Sequence, residues 1–265
     1  MDALPTLGGP LAGLMVGIIG GVVSGTLGVT SGGLLVPLSV LLLGAEQHVA
    51  QGISLIAQVP PTSWSGVRDY ARHGRTVSLR ALALVAGGFV AGSLVGAHLA
   101  EGVDGRVLKW SFVGYLALLD VVLILRRAKS EAAGTEVDAR DVRARWPALV
   151  AIGLVAGVSS GFLGIGGGFA ITVLSIVALR ALQHQAQALS LAVTALPVTL
   201  PAAWEYVRQG WDLPILVIGG IIVGLWIGTM AGSRIANKLV GRDLRYVLIA
   251  VIGAMAMFMA WKAAS

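Results

Sequence analysis

Seven stretches of this chain run for 16 to 43 residues without a single Asp, Glu, Lys or Arg, and an eighth is broken only by Asp120. The runs are 3–45, 47–67, 81–100, 146–179, 181–204, 213–233 and 246–261, with 110–125 as the interrupted one. A helix that crosses a bilayer needs about 20 consecutive apolar residues, so these runs hold material for roughly eight to ten membrane segments. Only 12% of the 265 residues are charged, against roughly 25% in a soluble globular protein. So few charges cannot cover a water-facing surface. The expected class is therefore an all-α integral membrane protein with the lipid bilayer as its solvent.

The same shortage excludes other classes. The pI near 10.2 would point to nucleic acid in a soluble chain, but here the basic residues sit in short loops between apolar runs, which is the membrane-orientation pattern. No nucleic-acid partner is expected. Barrel strands are ~10-residue alternating segments, unlike these long continuous runs. With no cysteine, thiol ligation and redox chemistry are absent. Met1-Asp2-Ala3 lacks the basic start of a cleaved signal, so the first apolar run is expected to stay in the mature protein.

A shift of 136 residues aligns the chain with itself, without a gap, for about 90 residues. Ser24-Gly25-Thr26-Leu27-Gly28 meets Ser160-Gly161-Phe162-Leu163-Gly164, and Gly88, Gly92 and Gly96 meet Gly224, Gly228 and Gly232. Apolar matches are cheap in a membrane protein. The shared Gln-His-x-Ala-Gln-x-x-Ser-Leu of 47–55 and 183–191 is not. The chain is read as a first transmembrane repeat over 1–128, a cytoplasmic linker over 129–145 and a second repeat over 146–265.

Loop charge gives the orientation of the repeats. Residues 68–80 carry net +3 and their match, 204–216, carries net −1, whereas 98–109 are neutral and their match, 234–245, carries net +3. Since cytoplasmic loops collect Lys and Arg, the bias has changed sides between the halves. An inverted-topology repeat with an odd number of crossings per half is expected, with both termini outside the cytoplasm.

Both halves open on a run longer than one span, and both are interrupted at the same place, by Gly28-Val29-Thr30-Ser31-Gly32-Gly33 and by Gly164-Ile165-Gly166-Gly167-Gly168. Each helix-interior glycine costs about 1 kcal/mol relative to Ala, so an unwound bend between two shorter helices is expected. Such backbone is tolerated at membrane depth only where protein or a water-filled cavity satisfies it. Paired breaks in corresponding positions of two halves are a pointer to a transporter's binding site. The competing reading is that these glycines only allow close helix packing. For the four-residue spacings Gly88-Gly92-Gly96 and Gly224-Gly228-Gly232 that packing reading is preferred. No P-loop or dinucleotide fingerprint accompanies the breaks, so no cofactor is expected.

Gln47, Gln51 and Ser54 fall on one helical face with His48 beside them, and Gln183, Gln187, Ser190 and His184 repeat the set. Their amides and hydroxyls suit a desolvated anion held without a permanent counter-charge; interhelical hydrogen bonding near the membrane surface is the alternative. The candidate substrate-binding residues are thus Thr30, Ser31, Gly32, Gly33, Gln47, His48, Gln51, Ser54, Gly166, Gly167, Gly168, Gln183, His184, Gln187 and Ser190, with no catalytic or metal-ligating residue among them. Trp64 and Trp204 read as interfacial anchors, and the matched Tyr70-x-Arg72 and Tyr206-x-Arg208 are placed at opposite mouths. Only Asp120 lies inside an apolar run, close enough to Arg126 to pair with it, so a cation substrate is poorly provided for.

At these residues the sequence resembles the TauE/SafE sulfite exporters, also called the toluene-sulfonate uptake permeases. The signature Ser-Gly-x-Leu-Gly-x-Gly-Gly-Gly-Phe, with a following Val-Pro, is met by Ser160 to Phe169 and more loosely by Ser24 to Pro37, and the resemblance extends over nearly the whole chain outside the linker. It implies a bacterial inner-membrane permease, a non-enzyme, for sulfite, organosulfonates or related small anions. It also implies a duplicated four-helix unit, an even count that agrees with the odd crossing number only if one segment is re-entrant. Thr30-Ser31 in place of Gly-Gly, and Val173 in place of the proline, are departures. The expected function is secondary transport of a small sulfur-containing anion by alternating access, in a chain compatible with a homo-oligomer. The rivals are transport of a carboxylate or metal cation, and a non-transporting membrane assembly factor.

Overall fold

The computed structural model describes residues 9–27, 31–72, 74, 76–125, 145–236 and 241–264. Thr30 and nearly all of the linker lie outside them, as does Arg126, the expected partner of Asp120. Among the described residues every regular element is a helix. The first half runs α1 (Gly9–Leu27), α2 (Gly32–Leu42), α3 (Gln47–Ala57), α4 (Trp64–Arg72), α5 (Leu79–Ala100) and α6 (Gly105–Leu125). The second repeats it as α7 (Trp146–Leu163), α8 (Gly168–Ala178), α9 (Gln183–Thr194), α10 (Leu200–Arg208), α11 (Ile215–Ala236) and α12 (Gly241–Ala264).

Four of these, α1, α5, α7 and α11, are long and apolar enough to cross a membrane. The chain is membrane-embedded and all-helical. The charge-free runs do not each become one crossing. The glycine breaks and the turns at 43–46 and 179–182 cut them into α2, α3, α8 and α9, of 11 or 12 residues each. At 1.5 Å per residue such a helix covers about 17 Å, roughly half of a ~30 Å hydrocarbon core.

The closest packing lies between the halves. Gly17 of α1 abuts the backbone of Ile221 and Gly25 that of Thr229, while Gly224 and Gly228 of α11 abut Leu14 and Ile18. The partner numbers rise together, so α1 and α11 run parallel. The pair α5 and α7 does the same: Gly88 meets Val150, Gly92 meets Leu154, Gly96 meets Val158, and Gly161 meets Ser93. In each case a Cβ would strike backbone, so the four-residue glycine spacings are packing seams, where small residues let helix backbones touch. Gly87 and Gly219, off these faces, have open space around them.

The short helices form two V-shaped pairs that reach opposite ends of the bundle. The α2–α3 turn lies where α5 ends and α6 begins, with Gln47 beside Gly105 and His48 stacked on Trp211 at a ring separation of 4.6 Å. The α8–α9 turn lies where α5 and α7 begin: the Arg145 guanidinium donates to the Leu179 carbonyl at 2.7 Å. Thr76, Ala81 and Leu149 share a small cavity there with Leu179 and Gln185. From those turns α3 and α9 run inward to the glycine breaks. The α4 and α10 helices cap the ends, with Trp64 and Trp204 61% and 66% exposed on their outer faces. Asp120 of α6 lies against Gly253 of α12.

Candidate functional site

A broken helix leaves up to four backbone carbonyls without partners on one side of the break and up to four N–H groups on the other. Buried in apolar surroundings, each unmatched group costs on the order of 1–3 kcal/mol. The arrangement at the centre of this bundle follows from that requirement. α7 ends at Gly164, whose left-handed backbone (φ +72°) lets its N–H turn back to the Ser160 carbonyl at 2.7 Å. Gly166 and Gly167 are also left-handed, at φ +76° and +73°, a conformation costing roughly 1–2 kcal/mol for a residue with a Cβ. α8 then starts at Gly168.

The polar faces of α3 and α9 meet the carbonyl sides of these breaks. Ser54 Oγ donates to the Gly164 carbonyl at 2.7 Å, and Gln51 Nε2 reaches the Phe162 carbonyl at 3.4 Å. Across the pseudo-symmetry Gln187 Nε2 donates to the Leu27 carbonyl at 2.6 Å, whereas Ser190 Oγ donates within its own half, to the carbonyl of Gly168 at the start of α8, at 3.0 Å. Each glutamine also accepts from a buried tyrosine of the opposite half: Tyr206 to Gln51 Oε1 at 2.8 Å and Tyr70 to Gln187 Oε1 at 3.1 Å. The two tyrosines are thus placed inside the bundle, while Arg72 and Arg208 stay on its surface. The glutamine amides are committed to backbone and tyrosine, as the interhelical alternative required.

The starts of α2 and α8 lie against one another at the centre. Gly32, at the start of α2, packs on the Ile165 carbonyl and the Gln58 carboxamide, and Gly33 packs on the Phe169 ring. Gly166 also abuts Gln58, and Gly167 abuts the Phe89 ring. The start of α2 therefore lies directly on the second break. Gln58 is 4% exposed. Its Nε2 donates to the Ser54 carbonyl at 2.8 Å and contacts the Ser54 hydroxyl at 3.0 Å, while its Oε1 is buried without a hydrogen-bond partner.

Of the residues picked out by sequence, the structure gathers Ser31, Gly32, Gly33, Gln51, Ser54, Gly166, Gly167, Gly168, Gln187 and Ser190 around the two breaks. Gln47 and His48 sit one turn further out. Gln47 is buried with both amide atoms unpartnered, and His48 packs on Trp211. His184 lies at the corresponding start of α9, its ring 6.3 Å from Tyr70. The side chain of Gln183 and all of Thr30 fall outside the described residues. Gln58 continues the face of 47, 51 and 54 at helical spacing, but its repeat match is Thr194, so the duplicated motif does not mark it. Every side chain named around the breaks is uncharged.

Among the described residues one cluster could offer ligands to a metal ion: His98 and Glu101 at the end of α5 with Glu205 of α10. His98 and Glu101 are already paired at 3.4 Å, and Glu205 with Arg208 at 2.9 Å. The cluster sits at the end of the bundle, away from the glycine breaks.

Comparison with known proteins agrees with this architecture. Residues 13–259 match the model of a family described as sulfite exporter TauE/SafE. A Bacillus subtilis (strain 168) protein described as probable membrane transporter protein YdhB is 27% identical over 237 residues, covering 88% of this chain and 94% of that protein. A Xylella fastidiosa (strain 9a5c) probable membrane transporter protein is 27% identical over 245 residues, covering 89% of this chain and 90% of its own. No solved structure matches the chain.

Proposed function

The chain belongs to the sulfite exporter TauE/SafE family and is a membrane transporter; from that premise we propose that it carries a small sulfur-containing oxyanion, sulfite or an organosulfonate, across the bacterial inner membrane by alternating access. The observation that carries the reading is the meeting of the two glycine breaks. There the start of α2 rests on the 164–167 segment, close to the start of α8. A helix start presents N–H groups and roughly half a positive charge, which is a ready anion environment. Three carbonyls on the break edges, those of Phe162, Gly164 and Leu27, accept from Gln51, Ser54 and Gln187.

The surrounding side chains are neutral donors and acceptors, which favours an anion over a metal cation. Cation carriers rely on buried carboxylates, and none is among the residues described at the breaks. Inverted orientation of the halves is part of the proposal. The V-shaped pairs reaching opposite ends, and the swapped loop charge, support it. Treating each V as re-entrant would give three crossings per half, from α1, α5 and α6. Rocking of the two seam pairs, α1 with α11 and α5 with α7, about the breaks would alternate access.

Flux in proteoliposomes tests the substrate class. Sulfite or an organosulfonate should move down an imposed gradient in wild-type vesicles and not in empty ones, whereas acetate and divalent cations should not. Movement of a cation, or of no solute in the panel, would overturn the assignment.

A further inference from the structure

We propose that the cleft between α4 and the second half of α11 binds an anionic phospholipid, with the headgroup phosphate on Arg68, Arg72 and Arg234 and an acyl chain along Trp226 and Met230. The cleft has a volume of about 320 Å³. Among the described residues none of the three guanidiniums forms an ion pair. Asp69 is the one carboxylate among the lining residues. With three arginines against one carboxylate, the described lining of the cleft carries a net positive charge.

The spacing along α11 identifies the occupant. Trp226, Met230 and Arg234 stand at i, i+4 and i+8, one stripe on a helix, rising about 12 Å from first to last. Trp226 and Met230 are 57% and 46% exposed on the outer face of a spanning helix, and Arg234 lies in its last turn. The stripe thus passes from apolar to cationic over the depth separating acyl carbons from a phosphate. Basic pockets between transmembrane helices at a membrane face are suited to anionic headgroups. A free anion would use the arginines and leave the apolar stripe without a role.

The other half supplies an internal control. The repeat positions of Trp226, Met230 and Arg234 are Val90, Leu94 and His98, and those of Arg68, Asp69 and Arg72 are Trp204, Glu205 and Arg208. There the single arginine is taken by Glu205 at 2.9 Å, and His98 faces Glu101 at 3.4 Å. One end of the molecule has the cationic cleft and its pseudo-equivalent does not.

Lipid binding to the full-length protein in a neutral detergent is the test, read by native mass spectrometry and by thermal shift. Phosphatidylglycerol should bind and raise the melting temperature, and phosphatidylcholine should do neither. At roughly fivefold per arginine, R68Q/R72Q/R234Q should weaken phosphatidylglycerol on the order of 100-fold. R234Q alone should give a smaller loss if the triple variant does not fold, and R208Q none. W226S/M230S should also weaken it. The proposal is overturned if R234Q and the triple variant bind phosphatidylglycerol like wild type, if phosphatidylcholine binds equally, or if inorganic phosphate displaces the lipid at equal concentration. None of these readouts involves flux, so the result is independent of the transported solute.

Discussion

The hydrogen bond from Tyr206 to Gln51 ties α10 of one half to α3 of the other, and its removal has a calculable cost. Tyr206→Phe keeps the ring, which is fully buried, and deletes the hydroxyl that donates to Gln51 Oε1 at 2.8 Å. The amide oxygen is then left in an apolar site. A buried acceptor stripped of its donor costs about 1–3 kcal/mol, and interhelical hydrogen bonds in membranes average about 0.6 and reach about 1.7 kcal/mol. A loss of about 1–2 kcal/mol is therefore expected, or roughly 2–8 °C in melting temperature at this chain length. Gln51→Leu removes the acceptor and also the donor to the Phe162 carbonyl, so it should cost at least as much. Unfolding of both single variants and the double variant in detergent gives the cycle. The double variant should be more stable than the sum of the two losses by about 0.5–1.5 kcal/mol. Strict additivity, within about 0.3 kcal/mol, would show that the two side chains do not act on one another.

The same logic extends to two further places. Gly92→Leu or Gly228→Leu drives a side chain into the backbone of the facing helix and should abolish recovery of folded protein, whereas Gly87→Leu and Gly219→Leu, which face open space, should leave yield and melting temperature unchanged; size-exclusion profiles after extraction distinguish them. Because the chain has no cysteine of its own, Ala71→Cys and Val207→Cys, at matched exposed positions of α4 and α10, can be labelled singly with an impermeant maleimide. Inverted halves predict labelling from opposite sides of the membrane, and labelling from the same side contradicts them.

Much of the architecture could be read directly from residue types. A lack of charge forces apolar runs into lipid, and four glycines within five residues at 164–168 force a break. Glycines every fourth residue make a seam whatever the partner. What residue types do not carry is direction. Tyr70 and Arg72 are two apart, so on a helix they face nearly opposite ways. Assigning both to a mouth overlooked the tyrosine aimed into the bundle. Gln51 and Gln187 were legible as polar and inward, but a free amide and one spent on an orphan carbonyl look the same in sequence. The turns at 43–46 and 179–182 contain Glu46 and Arg180, the charges that end the runs 3–45 and 146–179. Glycine breaks at one end and these charges at the other frame the half-length helices α2 and α8, but run length alone does not show that α2 packs on α3 and α8 on α9.

The most direct test of a solute site at the glycine breaks uses Gln58. Its Oε1 is buried with no partner, and its carboxamide lies against both Gly32 and Gly166. Gln58→Leu removes that unpartnered oxygen but also the Nε2 donor to the Ser54 carbonyl and hydroxyl, so a loss of about 1–3 kcal/mol in stability is expected. If Gln58 served only packing, Gln58→Leu would lower stability and leave flux per folded protein unchanged. Paired measurement of melting temperature and sulfite or organosulfonate flux in proteoliposomes separates the two roles. The account predicts a lowered melting temperature together with at least a roughly tenfold loss of flux per folded protein, equivalent to about 1.4 kcal/mol. Wild-type flux per folded Gln58→Leu protein would contradict a solute path between the breaks.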